Sequence, residues 1–409
     1  MGSPRSFVLG GHQTDFARNT RREGIGFTEL FAETVESTLA AAGVPAADID
    51  VIHVGNAFGQ LFTGQGQLGG MPATVDPALW GLPAVRHEAA CASGSMAILA
   101  ATAELEAGRY DVALVLGAEI EKNVPGDIAA QHLGAAAHIG REGGEATFMW
   151  PYMFHLLTEE YDRRYGIDDR YVHAIAELNT RNARKNPNAQ TRDWNFTAES
   201  FTDDDDDANP SVEGRVRRTD CGQVTDGAVG IVVVSERYLA QHPLLAARPR
   251  AEILGWGHRT VGLSLGQKLE RAADDAYVLP HVRGTILDAF ARAGVADVDS
   301  IDAIETHDCF SMTEYAAIDH FGITGPGESW KAIDGGDLEI GGRIPVNPSG
   351  GLIGGGHPVG ATGVRMMLDS YKQVTGQAGD YQVDGARTVA TLNIGGSSTT
   401  TASFVVGAV

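Results

Sequence analysis

The apolar and polar positions of this chain repeat a helix-then-strand pattern. Residues 34–44 (TVESTLAAAGV) read as a helix, and residues 48–58 (DIDVIHVGNAF) as a short strand ending in a polar residue, a small residue and Phe. The same pair recurs in residues 285–295 (TILDAFARAGV) and 300–310 (SIDAIETHDCF). The strand copies are offset by 252 positions (310 minus 58) and the helical copies by 251 (295 minus 44), so the two copies differ by one loop residue. A second unit repeats as well. CASG at 91–94 and GATG at 360–363 each open an amphipathic helix, followed by an apolar strand, VALVLGAE from Val112 and TVATLNIGG from Thr388.

Helices alternating with short β-rich runs predict an α/β fold built from βαβ units and mostly parallel sheets. Duplication makes it two pseudo-symmetric lobes. Between the copies lies a less regular stretch containing TRNARKNPNAQTRDW, the acidic run 203–207 and RVRR at 215–218, before strand character returns in TDGAVGIVVVSE. We read residues 1–121 as the first part of the N-terminal lobe and 122–218 as a loop domain inserted on it. Residues 219–245 close that lobe, and 246–409 form the C-terminal lobe. Loops on a rigid scaffold are where binding residues gather, while the acidic run reads as a solvated turn.

Composition narrows the class. The chain has 409 residues, 43% of them hydrophobic, and 52 glycines, which is more than one ordinary core requires. The start, MGSPRSFVLGGHQTDFAR, lacks the apolar core of a signal peptide, and no later run is long enough to span a membrane, so a soluble cytoplasmic protein is expected. A net charge of -22 argues against nucleic acid and anionic membrane surfaces as partners. Cys91, Cys221 and Cys309 are odd in number and widely spaced, which argues against a disulfide scaffold or a metal site.

Cys91 stands at a strand-to-helix junction, where unpaired N–H groups and positive potential stabilise a thiolate. A free cysteine is also commonly plain packing, and nothing local decides between the two. His307 ends a strand. His357 lies in the glycine-rich loop GGLIGGGHPVGATG, where the backbone approaches a ligand closely. Pseudo-symmetry predicts that the ends around Asn56, Cys91, His307 and Gly360 meet at the lobe interface. Cys309, two residues after His307, shares its face if the segment is extended, and it reads either as a proton shuttle or as core. Cys221 has no nearby histidine and reads as structural. The glycines of LNIGGSSTT offer backbone N–H groups to an oxyanion, or an ordinary turn. The run FMWPYMFHLL from Phe148 is either an acyl-pocket wall or the core of the insertion, with core preferred.

Taken together, ACASG around Cys91, HDCF at 307–310, GGHPVGATG at 355–363 and the terminal NIGG resemble the thiolase superfamily over essentially the whole chain. More narrowly they are similar to the sterol-carrier-protein class, in which HDCF replaces another motif. The resemblance implies duplicated βαβαβαββ lobes in a layered α/β/α/β/α sandwich. It implies Cys91 as acyl-accepting nucleophile, His357 as its base, and Cys309 as the acid/base at the α-carbon. His307 and His357 would bind the thioester oxygen, and the N–H groups of Cys91 and Gly395 the acyl oxygen. Asn393 stands where most thiolases carry a second cysteine, a role that Cys309 takes over in the resembled class.

The expected activity is acyl-CoA C-acyltransfer, as thiolysis of a 3-oxoacyl-CoA or the reverse condensation, with coenzyme A as substrate and neither a resident cofactor nor a metal. The alternatives are a retro-aldol lyase of β-hydroxyacyl-CoA working with a small accessory protein, and a non-catalytic binding subunit. A homodimer or dimer of dimers is implied by resemblance. Arg181, Arg184, Lys185 and Arg192 are expected, on charge alone, to meet the coenzyme A phosphates.

Overall fold

The computed structural model describes residues 5–409. Its strands are β1 (Ser6–Gln13), β2 (Val51–Gly55), β3 (Ala84–His87), β4 (Val112–Glu119), β5 (Ser211–Glu213), β6 (Val216–Arg217), β7 (Gly227–Ser235), β8 (Ala251–Thr260), β9 (Ala303–Thr306), β10 (Thr388–Gly395) and β11 (Thr400–Ala408). Nine of them form one sheet in the order β3-β2-β4-β7-β1-β8-β11-β10-β9. The halves join through only two residue pairs, Phe7 with Glu252 and Val8 with Ala251.

The duplication is visible in the ladders. β2 pairs β4 in parallel and β9 pairs β10 in parallel; β4 to β7 and β10 to β11 are antiparallel, as are β7 to β1 and β11 to β8. Ile52 of β2 pairs with Ala84, and Ile304 of β9 with Val346, so a single bridge stands where the first half has β3. Each half is therefore mixed, not mostly parallel. The last strands of each half, β4 to β1 and β10 to β8, are joined antiparallel.

The layers follow from which faces are apolar. Helices Ser93–Glu106 and Thr362–Val374 pack on each other between the two halves, and their core includes Ala97 and Ile98 from one helix, Val364 and Met367 from the other, and strand residues of both halves such as Val115 and Phe404. Phe27–Ala42 covers the outer face of β1 and β7, while Pro280–Ala293 covers β8 and β11. These two outer helices end at Gly43 and Gly294, both left-handed with φ of 68° and 70°, a conformation glycine adopts without steric cost. The small residues that open the two central helices also have a geometric cause: a Cβ on Gly94 would lie 2.9 Å from the Gly360 carbonyl oxygen.

The inserted stretch carries helices Gly126–Gly134, Met149–Tyr165 and Asp169–Ala183 and the hairpin β5–β6, joined by long irregular segments. It follows β4 in sequence, yet its apolar side (Phe154, Leu157, Ile175) merges with the C-terminal core around Met312, Tyr315 and Ile318. The acidic run 203–207 is exposed, as a solvated turn requires. Among the described residues no helix is long and apolar enough to cross a membrane.

Candidate active site

Cys91 lies two residues before the helix Ser93–Glu106, in a turn that the sequence does not advertise. Ala90 before it adopts φ 50°, a left-handed conformation that costs a non-glycine residue on the order of 1 kcal/mol. Ser93 secures the turn: its hydroxyl accepts from the Ala89 N–H at 2.9 Å and donates to the Ala90 carbonyl at 2.6 Å.

His307 to Phe310 lie beyond the end of β9, in the loop before helix Ser311–Phe321, and not on an extended strand. Asp308 organises this loop by accepting from the Leu352 and Ile353 N–H groups and from Asn179. Through those bonds it ties HDCF to the glycine-rich loop carrying His357. Asn56, the pseudo-symmetric counterpart of Asp308, does not join the site. Its amide donates to the Ala118 carbonyl at 2.8 Å, while its backbone packs against Gly360, where a Cβ would lie 2.5 Å from Asn56 Cα; the Asn56 end therefore meets the others through backbone and not through its side chain.

Cys91 Sγ and a ring nitrogen of each of His307 and His357 lie within 4.8 Å of one another. The two rings meet edge to face with centroids 5.4 Å apart. By distance alone these three donors are also a compact set for a soft cation. His357 Nδ1 is 2.7 Å from Thr362 Oγ1, and that hydroxyl donates to the Pro358 carbonyl at 3.2 Å. With its proton on the Pro358 carbonyl, Thr362 accepts from His357 Nδ1–H, the arrangement that leaves Nε2 with a free lone pair.

The electrostatics favour neutral groups. Burial pushes the Cys91 thiol up to about 12, with the Glu121 carboxyl adding to it and the backbone amides of Gly396 and Cys91 opposing it. Desolvation thus outweighs the stabilisation that the helix start offers a thiolate. Burial, and then Arg365, lower His357 to about 3. His307 is held well below its ordinary value by burial and by His357. Cys309 is pushed well above by burial and by the neighbouring Cys91.

Of the terminal glycines, Gly395 passes so close to the Cys91 turn that a Cβ would lie 2.2 Å from the Ala89 carbonyl oxygen. The amide that acts on the thiol, however, belongs to Gly396, at φ 63°.

A cavity of about 300 Å³ opens onto Cys91, Cys309 and His357. Phe148, Met149, Trp150 and Phe154 line it, so this segment serves as wall as well as core, with Met153 and Leu157 turned into the interior. Cys221 also lines it, its thiol donating to the Arg217 carbonyl, because the 221–222 backbone pairs with the 309–310 loop. The four cations singled out from the sequence do not reach this cavity. Arg192 is bidentate on Asp15, Arg181 pairs with Glu339, and Arg184 and Lys185 are exposed. Arg218 does line it. Thr362 and Arg218 carried no individual signal, since a threonine five residues after His357 and one arginine of a basic run each have many ordinary roles.

Residues 6–237 match the family model of the thiolase N-terminal domain, and residues 269–408 that of the thiolase C-terminal domain-like family. An acetyl-CoA acetyltransferase of Methanothermobacter thermautotrophicus is 30% identical over 97% of this chain and 98% of its own. Sterol carrier protein 2 of Gallus gallus is 29% identical over 96% of this chain and 70% of its own. Among solved structures, the Ltp2-ChsH2(DUF35) aldolase superposes with a TM-score of 0.76 at 20% identity, covering 99% of this chain and 98% of that one. The Acat5 thiolase from Ascaris suum in complex with coenzyme A superposes with a TM-score of 0.69 at 16% identity, over 99% and 100%. A duplicated sandwich, a thiol between two histidines at its midline, and family models spanning both halves establish that this chain belongs to the thiolase family.

Proposed function

We propose that the protein is an acyl-CoA C-acyltransferase that carries its acyl group on Cys91. One observation carries the reading: the thiol shares a 4.8 Å cluster with two imidazoles, and it lines a largely apolar cavity together with one of them, His357. In thiolysis, Cys91 Sγ attacks the 3-oxo carbonyl of a 3-oxoacyl-CoA as His357 Nε2 takes the thiol proton. The bond between the carbonyl carbon and the α-carbon then breaks. Its electron pair leaves as the enolate of the shortened thioester, which Cys309 protonates at carbon. Free coenzyme A then takes the acyl group, its thiol proton passing to the Cys309 thiolate while His357 returns its proton to the departing Cys91 sulfur. Acceptance of the proton turns His357 Nε2 into a donor, so it joins His307 at the enolate oxygen when charge develops there. The cavity wall of Phe148, Trp150 and Phe154 suits an acyl chain, and Arg218 offers a cation to the anionic coenzyme A.

The acetyl-CoA acetyltransferase relative supports this reading. The aldolase neighbour keeps a lyase reading, with an accessory protein, in play. Retro-aldol cleavage needs no acyl-cysteine, whereas this chain keeps its nucleophile and both histidines together. Incubation with acetoacetyl-CoA or a longer 3-oxoacyl-CoA plus free coenzyme A, followed by intact mass, is expected to show an acyl adduct on Cys91. No adduct with any thioester, with Cys91→Ala fully active on a β-hydroxyacyl-CoA, establishes the lyase instead.

A further inference from the structure

His307 is wholly buried, yet its two ring nitrogens differ sharply in environment. Nδ1 lies 3.2 Å from Asn393 Nδ2, while Nε2 is buried without a hydrogen-bond partner among the described residues. Asn393 is itself held from the other side, where the Ser95 hydroxyl lies 2.8 Å from its Oδ1. An amide that accepts from Ser95 through Oδ1 presents its NH2 to the imidazole. A neutral imidazole that accepts at Nδ1 carries its proton on Nε2.

We propose that Ser95 and Asn393 form a tautomer lock on His307, holding its Nε2–H as a permanent donor toward the substrate oxygen. His357 is set the opposite way by Thr362, so the pair comprises one fixed donor and one free base. Asn393 is a positioning residue, acting only through His307. This also explains an amide at the point where most of the family carries a cysteine, for a thiol is a weak donor to a ring nitrogen. An unsatisfied buried Nε2–H is costly in the resting protein, and a developing oxyanion relieves that cost.

The assignment is read by nitrogen NMR on protein labelled at its histidine rings, with the His307 signals identified by their loss in His307→Gln. The resting wild type is expected to show the Nε2–H pattern. Asn393→Asp, nearly isosteric but able only to accept, is expected to move the ring to the Nδ1–H or doubly protonated form. Ser95→Ala, which leaves the amide free to flip, is expected to give a mixture. In the kinetic arm, which rests on the acyl-transfer reading, Asn393→Asp is expected to slow carbon–carbon cleavage about 100-fold, the usual loss on removing one oxyanion donor. Acylation of Cys91 by a simple acyl-CoA should change far less. An Nδ1–H pattern in the wild type, or an unchanged pattern in both variants, overturns the lock. The spectra need no substrate, so failure of the lock is distinct from failure of the acyltransferase reading, which shows as no adduct on wild-type Cys91.

Discussion

His357 and Thr362 face each other across the start of a central helix, with Nδ1 and Oγ1 2.7 Å apart. In the proposed reaction the contact decides which nitrogen of His357 acts as the base. Thr362→Val removes the acceptor while keeping the shape, and it is expected to slow acylation of Cys91 about fivefold to tenfold, the equivalent of one hydrogen bond. Thr362→Ser should restore most of the rate. Time-resolved intact mass with an acyl-CoA measures both.

The protonation states predict an unusual pH response. With the thiol at about 12 and His357 at about 3, both groups are neutral across the working range. Alkylation of Cys91 by iodoacetamide is expected to rise about tenfold per pH unit from roughly pH 6 to 9, following the thiolate fraction. A plateau near neutrality would mean a resting thiolate–imidazolium pair and would contradict these environments.

Cys309 and Cys91 share the cavity, and the proposed reaction gives them different roles. Cys309→Ala is expected to slow carbon–carbon bond chemistry by 10²-fold or more, on the order of a lost general acid/base, while Cys91 still acylates. Equal loss of both steps would remove the role assigned to Cys309.

Behind the site, Arg365 bonds the carboxylates of Glu305 and Asp369, and all three are buried. Arg365→Met leaves those acids without their cation and is expected to cost about 3–5 kcal/mol in urea unfolding. Burial raises Glu305 to about 7, and Arg365 opposes that rise. A carboxyl raised in the fold binds a proton that the unfolded chain releases, so its contribution to stability falls as pH rises from about 4.5 through 7. The variant should therefore lose more stability at pH 8 than at pH 5. An equal loss at both would exclude Glu305 as the group responsible.

Much of this protein was legible in its sequence. The 252-residue offset shows in the structure as Ile52 and Ile304 pairing equivalently with Ala84 and Val346. The glycines opening the two central helices mark their close approach. HDCF and the loop of His357 were legible as chemistry because polar residues among glycines at element ends have no core to fill. The four basic residues lie away from the cavity, because charge along a chain does not report direction: Arg192 turns to Asp15 and Arg181 to Glu339.

By itself, then, the sequence determined the duplication, the family, and which thiols and imidazoles were available, since these are written in local pattern and residue type. Only the tertiary structure decided how those groups are set. Asn393 reaches His307 and Ser95 across 86 and 298 positions, and the pairing of those contacts distributes the protons. The resting state of Cys91 likewise reflects burial under an inserted segment and the nearness of Glu121, which outweigh the helix start beside it. Desolvation and hydrogen-bond partnership are properties of packed neighbours, and no local run of residues encodes them.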